Sequence, residues 1–159
     1  MIRKALMSDV AEIQKVYDSA RQFMYSHGNK TQWGENYPGE DLIIHDIENG
    51  DLYAYETDGK IHGVFAFFIG QDPTYQRIEQ GSWLSDTLYG TIHRVASDGA
   101  KNGIMQKTVS YCENKIPHIR IDTHEDNKIM QNLIQENGFR QCGIIYTEDG
   151  SPRIAYEKI

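Results

Sequence analysis

The sequence predicts an α+β fold in which a mixed, mostly antiparallel central sheet is flanked by helices. Two observations support this prediction. Both strand–loop–helix units fall in the second half of the chain, and antiparallel hairpin signals lie before and after them. The elements follow the order β–α–α–β–β–β–α–β–α–β–β. With 159 residues, the chain is expected to form a single domain over residues 1–159 with a real core.

The composition is that of a folded, acidic protein. Apolar residues make up 39% and charged residues 25%, and the net charge is −7. An acidic surface argues against non-specific nucleic-acid binding and is compatible with a cationic small substrate. Cys112 and Cys142 lie in apolar-patterned elements, so buried, reduced thiols and a cytoplasmic location are expected. The chain shows no secretion signal and no apolar run of membrane-spanning length, which predicts a soluble protein.

The first third of the chain is predicted to contain one strand and two helices. Ile2 to Leu6 is a short edge strand, and Ser8 is the expected N-cap of the helix that follows. Residues 9–26 repeat apolar side chains every three or four positions, as an amphipathic helix does. After the turn-rich segment 28–39, residues 40–49 form a second short helix.

A hairpin and a long loop come next. The strands Asp51–Thr57 and Lys60–Ile69 are joined by Asp58–Gly59, a strong hairpin signal because both turn positions need a positive φ. The unbroken apolar run 64–69 indicates a central strand covered on both faces. The loop that follows has about twenty residues, and loops of that length in compact domains are usually functional or mobile.

Aromatic and acidic side chains of the loops are candidate substrate contacts. Trp33 lies in the turn-rich segment, and Glu79, Trp83 and Asp86 lie in the long loop. An acidic and aromatic mixture suits an amine. The alternative is that each tryptophan only anchors its loop to the core.

The stretch from Ile92 to Glu113 is predicted as a strand, a loop with Gly99 and Gly103, and a helix. The unpaired N–H groups at a helix N-terminus and the helix dipole together form an anion site, suited above all to phosphate. A plain left-handed turn is the alternative.

The remaining elements are a strand, a helix and a last hairpin. His118–Thr123 is the strand, and either Asp126 or Asn127 caps the helix. The buried stripe of this helix is expected at Ile129, Met130, Leu133 and Ile134. The last hairpin pairs Phe139–Thr147 with Pro152–Lys158.

The element order and the two strand–loop–helix units resemble the GCN5-related N-acetyltransferase (GNAT) superfamily over essentially the whole chain. Ala100–Met105, AKNGIM, aligns with the family's phosphate loop, Q/R-x-x-G-x-G/A. Asn127–Phe139, NKIMQNLIQENGF, is similar to the family's helix-to-strand signature, which begins with Asn and ends with Gly-Phe. In the phosphate loop only Gly103 is kept, because Ala100 replaces the Gln or Arg and Met105 replaces the last small residue.

The resemblance implies acetyl-CoA as the co-substrate. Backbone N–H groups of residues 101–105 would hold its diphosphate, with Lys101 adding a cation, and Asn127 would face the pantetheine arm. The expected coenzyme contacts are Val95, Ala96, Ala100, Lys101, Asn102, Gly103, Ile104, Met105, Asn127 and Met130. No metal is expected, because the acidic run 122–127 lacks the glycine of a calcium loop and a second histidine at ligand spacing.

The implied reaction is direct attack of a primary amine, on a small cationic molecule or a peptide, within a ternary complex. A backbone N–H of the 92–96 strand would hold the oxyanion. The candidate bases are His93, Asp122, His124 and Glu79. In relatives a tyrosine four residues before the glycine often serves as general acid. That position is Ile134 here, and Tyr146 is the candidate replacement.

A second interpretation stays open because of the departures at Ala100, Met105 and Ile134. The chain would then be a GNAT-fold acyl-CoA-binding module that has lost catalysis. Acetyl-CoA binding without turnover on a broad panel of amines distinguishes the two. Neither interpretation involves nucleic acid or a membrane, and a homodimer is compatible with both.

Overall fold

A computed structural model describes every residue from Met1 to Ile159. The helices are α1 (Val10–Ser26), α2 (Glu40–Glu48), α3 (Ile104–Glu113) and α4 (Lys128–Glu136). The strands are β1 (Ile2–Lys4), β2 (Leu52–Thr57), β3 (Lys60–Ile69), β4 (Gly90–Ser97), β5 (Ile119–Thr123), β6 (Arg140–Tyr146) and β7 (Pro152–Lys158). The predicted order of helices and strands is confirmed, with short 3₁₀ turns added at Met7–Asp9 and Pro73–Tyr75. None of the helices combines the length and the apolarity needed to cross a bilayer.

The strands form one mixed sheet in the order β1-β2-β3-β4-β5-β7-β6. The pairs β1–β2, β2–β3, β5–β7 and β6–β7 are antiparallel, whereas β4 and β5 run parallel. A parallel pair needs a crossover connection, and α3 supplies it. The predicted α+β class, a mixed sheet with flanking helices, is therefore confirmed.

The chain divides into two compact units. The first contains Met1–Phe67 and His93–Thr108, and the second contains Phe68–Ile92 and Val109–Ile159. The core of the first unit includes Ile13, Val16, Tyr17, Ile43, Leu52, Ile61 and Val64. A cluster in the second unit consists of Tyr75, Tyr89, Ile145 and Ala155, with Ile78 and Trp83 packed against it. The single-domain organisation expected from chain length stays a prediction.

The start of α1 differs from the prediction. Asp9, not Ser8, is the N-cap residue, and a 3₁₀ turn precedes the helix. The Asp9 carboxylate accepts a hydrogen bond from the N–H of Leu6 at 2.7 Å and pairs with the guanidinium of Arg3 at 2.8 Å. The carboxylate closes the 3₁₀ turn through Leu6 and makes no side-chain hydrogen bond to α1, so the helix starts where this turn ends and not at a Ser8 cap.

The predicted buried stripe of α4 is wrong in part. Ile134 is fully buried, but Ile129 is 40% exposed, and Met130 and Leu133 are half-buried. Residues 130 and 134 lie one turn apart on the same line of the helix, whereas 129 and 133 lie about 100° around it. The four positions therefore cover too wide an arc for a short helix that packs on one side.

Candidate active site

The loop between β4 and α3 fixes its first half with its own side chains. Ser97 Oγ accepts a hydrogen bond from the N–H of Gly99 at 3.1 Å, and Asp98 Oδ1 accepts one from the N–H of Ala100 at 2.9 Å. Asp98 is in turn attached to β3. Its Oδ2 lies 2.9 Å from Nδ1 of His62, and its N–H donates to the His62 carbonyl at 3.0 Å. These contacts set the path of the loop as it leaves β4.

The second half of this loop presents backbone donors without partners. Gly103 has a φ of 75°, in the left-handed region, and α3 begins at the next residue. The N–H of Lys107 donates to the Gly103 carbonyl at 3.0 Å, so the N–H groups of 104–106 precede the first helical bond and have no partner in the helix. Residues 99–103 are exposed. Unpaired N–H groups at the positive end of a helix dipole, directly after an exposed loop, suit a phosphate group.

Met105 does not crowd the exposed side of the loop. Ile104 and Met105 are 7% and 5% exposed, which places both side chains in the core. Only Ala100, Lys101 and Asn102 extend side chains on the exposed part. The departures from the family pattern therefore remove one side-chain donor but put no large apolar side chain on the exposed part of the loop.

β4 contains a residue in a strained conformation. Arg94 has a φ of 52°, which is uncommon for a residue with a long side chain and costs free energy. Its guanidinium pairs with Asp46 of α2 at 2.9 Å, and its carbonyl accepts a hydrogen bond from the Tyr17 hydroxyl of α1 at 3.0 Å. The regular pairing of β4 with β5 ends at Ile92, before the strained residue. Helix α1 thus holds the backbone of Arg94, and helix α2 holds its side chain, at a point where the strand departs from regular geometry.

The predicted contacts on β4 lie on either side of Arg94. His93 and Val95 are half-buried, and Ala96 is 4% exposed. Their assignments to base and coenzyme contacts stay predictions.

In the second unit, Asp122 of β5 accepts a hydrogen bond from the Tyr75 hydroxyl at 2.6 Å. Burial, reinforced by the Asp122 charge, raises the pKa of Tyr75 well above its ordinary value, so the phenol stays protonated and acts as a donor. Near it in the chain, His124 Nδ1 accepts a hydrogen bond from the N–H of Asp126 at 3.0 Å. Burial lowers the pKa of His124, and an imidazole that accepts at Nδ1 carries its proton on Nε2.

The structure brings two predicted residues, Tyr146 and Glu79, into direct contact. The Tyr146 hydroxyl donates to Glu79 Oε2 at 2.7 Å, and Arg77 pairs with the same carboxylate. The bond to Glu79 raises the pKa of Tyr146, while the bonds from Arg77 and then from Tyr146 lower the pKa of Glu79. These shifts make Tyr146 a weaker acid and Glu79 a weaker base than the free side chains.

Asn127 is the N-cap of α4, which settles the choice between Asp126 and Asn127. Its Oδ1 accepts a hydrogen bond from the N–H of Met130 at 3.1 Å. Met130 is half-buried. The coenzyme contacts expected of both residues stay predictions.

Trp33 packs against the core of the first unit. Its ring meets the ring of Tyr17 edge-on, with 5.6 Å between centroids, and lies 6.2 Å from the ring of Tyr37. This packing matches the anchoring alternative, and a contact with substrate stays a prediction.

The long loop between β3 and β4 crosses β6 at close range. The backbones of Glu79 and Ile144 exchange two hydrogen bonds, of 2.9 and 2.8 Å. Beside this bridge, a Cβ atom at position 81 would overlap the carbonyl group of Cys142, so only glycine fits there. The loop is therefore attached to β6 at its middle.

The same loop forms the wall of an open cavity of about 470 Å³ in the second unit. The cavity is lined by Gln71, Tyr75, Gln76, Trp83, Leu84, Ser85, Asp86, Tyr89 and Arg120. The indole N–H of Trp83 donates to the Tyr75 carbonyl at 2.9 Å, and the Tyr89 hydroxyl accepts from the N–H of Asp72 at 2.8 Å. Hydrogen bonds thus hold the aromatic walls, and the volume is within the range of about 300–1,000 Å³ of small-molecule sites.

Behind the cavity lies a buried cluster of charged groups that sequence reasoning missed. The Glu157 side chain is 0% exposed; it accepts hydrogen bonds from Arg120 Nε at 2.7 Å and from the N–H of Leu84 at 2.5 Å. Nε2 of His118 lies 2.6 Å from the same carboxylate. Arg120 and Glu157 are cross-strand partners on β5 and β7. The cluster could be found only from the pairing of β5 with β7, and local sequence patterns do not reveal that pairing.

Arg120 is also enclosed by the loop. Its guanidinium carbon lies 4.0 Å from the ring centroids of both Trp83 and Tyr89, and its Nη2 donates to the Ser85 carbonyl at 2.6 Å. The acidic and aromatic loop predicted from sequence therefore shares its cavity with a cation.

Comparison with known proteins identifies similar solved structures. No protein-family model matches the chain, and no curated protein matches it. A GNAT-family acetyltransferase from Streptococcus agalactiae is 30% identical with a TM-score of 0.91, over 100% of this chain and 94% of that chain. A putative acetyltransferase from Staphylococcus aureus is 24% identical with a TM-score of 0.72, over 99% and 97%. A putative acetyltransferase from Salmonella typhimurium, solved with its cofactor acetyl-CoA, is 14% identical with a TM-score of 0.62, over 99% and 91%. At their lower identities the last two show a shared fold alone.

Proposed function

The chain belongs to the GNAT family of acetyltransferases, and from this membership we propose that it transfers an acetyl group from acetyl-CoA to a primary amine. The observation that carries the proposal is the set of unpartnered N–H groups at 104–106, directly after Gly103. The reaction is assigned to the cytoplasm, which is supported by two free, buried cysteines.

The loop before α3 fits the diphosphate of the coenzyme. Its exposed residues end at Gly103, whose left-handed backbone lets the chain turn into the helix without a side chain in the way. Lys101 adds a positive charge on the exposed side. The coenzyme supplies an acetyl thioester, which a free amine can attack.

The proton of the acceptor ammonium must be removed before attack, and His93 is the first candidate for this role. It precedes Arg94, whose guanidinium pairs with Asp46 and whose carbonyl accepts a hydrogen bond from Tyr17, so the backbone next to His93 is held in place. Histidine side chains accept protons near neutral pH. Asp122 is the second candidate, with the Tyr75 hydroxyl holding its carboxylate in place.

Backbone N–H groups of β4 beyond Ile92 are proposed to stabilise negative charge on the acetyl oxygen. The ladder between β4 and β5 ends at Ile92, so the following residues are not committed to that pairing. Positioning of amine and thioester contributes a large share of such catalysis, and a dedicated acid is then not indispensable.

The acyl-CoA-binding module without catalysis is the second candidate. Ile134 occupies the position of the family's tyrosine and is 0% exposed, so no proton donor can act from there. Tyr146, the candidate replacement, is engaged with Glu79.

A calorimetric titration with acetyl-CoA, followed by a thiol-release assay with polyamines, amino acids and aminoglycosides, tests both candidates. We expect binding of acetyl-CoA and release of free thiol with at least one class of amine. Binding without thiol release across the panel would favour the module. If acetyl-CoA does not bind at all, both candidates are rejected.

A further inference from the structure

We propose that the cavity walled by Tyr75, Trp83 and Tyr89 binds the acceptor, and that this acceptor is a free α-amino acid with an apolar side chain. The inference rests on the proposed function and adds a substrate class to it. A ligand of this class carries an ammonium and a carboxylate on one carbon, and the cavity offers a partner for each.

Arg120 is the partner for the carboxylate. It is 5% exposed and is held by Glu157, by the Ser85 carbonyl and by two aromatic rings. These hydrogen bonds use Nε and Nη2, and none involves Nη1. Arg120 Nη1 has no hydrogen bond within the protein, it is not among the fully buried side-chain atoms that lack a partner, and Arg120 lines the cavity. A guanidinium with its orientation fixed in advance is well suited to a carboxylate.

Asp86 is the partner for the ammonium. Its side chain is exposed at the cavity and has no hydrogen bond or ion pair within the protein. Glu79, the other acidic candidate of this loop, is already bound by Arg77 and Tyr146. Asp86 and Arg120 line the same cavity and form no ion pair with each other, because Arg120 is paired with Glu157.

Leu84 and Trp83 supply the apolar surface for the side chain of the ligand. Leu84 is 48% exposed at the cavity, and Trp83 is fixed by its hydrogen bond to the Tyr75 carbonyl. An apolar side chain that covers Leu84 gains free energy by removing this surface from water. A long polyamine, by contrast, would bring a second positive charge close to Arg120.

The cavity is also connected to a candidate base. The ring of Tyr75 forms part of the wall, while its hydroxyl donates to Asp122. In the transfer, the amine lone pair forms the C–N bond and the C–S bond breaks with its electron pair on sulfur. Of the two protons that the ammonium loses, one goes to sulfur and the other to solvent.

The test compares three acceptors that differ in one group: L-phenylalanine, L-phenylalaninamide and phenethylamine. We expect kcat/KM for L-phenylalanine, measured by thiol release, to exceed that of the other two at least 10-fold. Equal or higher values for the amide and the amine would overturn the amino-acid assignment. Acetyl-CoA titration in the same samples distinguishes a failure of the proposed transferase function from a failure of the amino-acid assignment. If phenethylamine is acetylated and L-phenylalanine is not, the transferase function stands and this inference fails.

Variants then locate the site. Asp86→Asn is expected to raise KM for L-phenylalanine at least 10-fold while leaving the acetyl-CoA Kd unchanged. Asp58→Asn removes the same charge at the exposed β2–β3 turn, where asparagine also tolerates the φ of 53°, and serves as the control.

Arg120→Lys should lower the ratio of kcat/KM for L-phenylalanine to that for phenethylamine at least 10-fold. This ratio is internal to one protein sample and is therefore insensitive to partial unfolding. An unchanged KM in Asp86→Asn, or an unchanged ratio in Arg120→Lys, would contradict the placement.

Discussion

The hydroxyl of Tyr75 donates a hydrogen bond to Oδ1 of Asp122 over 2.6 Å, which ties the 3₁₀ turn at Pro73–Tyr75 to β5. The two residues are far apart in the chain, and neither has a local sequence signal for the other. Through this bond, a residue of the β3–β4 loop holds the carboxylate of Asp122, one of the candidate bases.

Removal of this bond should be visible in both stability and turnover. Tyr75→Phe keeps the ring contacts with Trp83 and Tyr89 but deletes the donor. Hydrogen bonds to charged groups contribute about 1.5–3 kcal/mol, so the free energy of unfolding should fall by that amount in urea titrations. If Asp122 takes part in proton transfer, kcat falls as well while the acetyl-CoA Kd is retained. An unchanged kcat would assign the bond to structure alone.

Gly103→Val is expected to raise the Kd for acetyl-CoA strongly. A β-branched residue at a φ of 75° is strained by about 1–2 kcal/mol, and its side chain obstructs the backbone donors that follow. Gly59→Val is the matched control, because Gly59 has a φ of 76° and open surroundings, as Gly103 has apart from Gln106 Oε1 at 3.8 Å, but lies in the β2–β3 turn. Both variants should lose similar stability, and only Gly103→Val should weaken binding in calorimetry. Equal Kd values in the two variants would show that the loop does not bind the coenzyme.

His93→Ala should reduce kcat near neutral pH more than it affects the acetyl-CoA Kd. The imidazole is expected to remove a proton from the acceptor, whereas the coenzyme loop lies further along the chain. Steady-state rates measured as a function of pH should change in shape, because the group that removes the proton is gone. His124→Ala is the comparison, since burial lowers the pKa of His124 and its Nδ1 is already bonded. A pH profile that is the same in His93→Ala as in the parent protein would identify another group as the base.

Asp9→Asn is expected to change how stability depends on pH. The hydrogen bond from Arg3 lowers the pKa of Asp9 in the folded protein. The corresponding stabilisation is present above the unfolded-state pKa of about 3.9 and is lost as the pH falls through the folded-state pKa. Asp9→Asn should therefore be less stable than the parent at pH 7, by about 1.5–3 kcal/mol, with a difference that shrinks below about pH 4. A difference that is constant from neutral to acidic pH would rule out this ion pair as the cause.

The two cysteines should be inert in the native protein. Burial raises the pKa of Cys112 to about 12 and that of Cys142 to about 11. Because the thiolate is the reactive form, labelling by a disulfide reagent at pH 8 should be at least about 100-fold slower than in unfolded chains. The same shifts stabilise the fold fully below the unfolded-state pKa of about 8.5, and this contribution is lost as the pH rises toward the folded-state values. Fast labelling without denaturant would contradict the burial of both thiols.

Local sequence signals predicted most of the fold. The turn at Asp58–Gly59 and the glycines that end helices set the boundaries, and the order of elements was correct throughout. The N-cap of α1 was predicted less well, because Asp9 is held by the guanidinium of Arg3 on β1, a contact that the local sequence does not show. The exposure of Ile129 also depended on the partner surface of α4 rather than on its own pattern.

The site was less predictable than the fold. The glycine turn before α3 was located correctly, since backbone donors at a helix start do not depend on tertiary contacts. The left-handed backbone of Arg94 could not be predicted, because arginine has no preference for that conformation. The contacts of Arg94 with Tyr17 of α1 and Asp46 of α2 stabilise it instead. From the sequence alone, Arg120 and Glu157 would be interpreted as solvent-exposed charges on their strands. Only the register of β5 and β7 shows that they are neighbours.

The crossing at Gly81 has a consequence for redesign of this protein. The exposed loop positions that line the cavity, Gln71, Gln76, Leu84 and Asp86, can be varied in a library to alter the cavity. Position 81 should be kept as glycine, because the side chain of any other residue would overlap the Cys142 carbonyl and force the β3–β4 loop away from β6. Since the bridge between Glu79 and Ile144 attaches the loop to β6, its loss would disrupt the wall of the cavity instead of reshaping it.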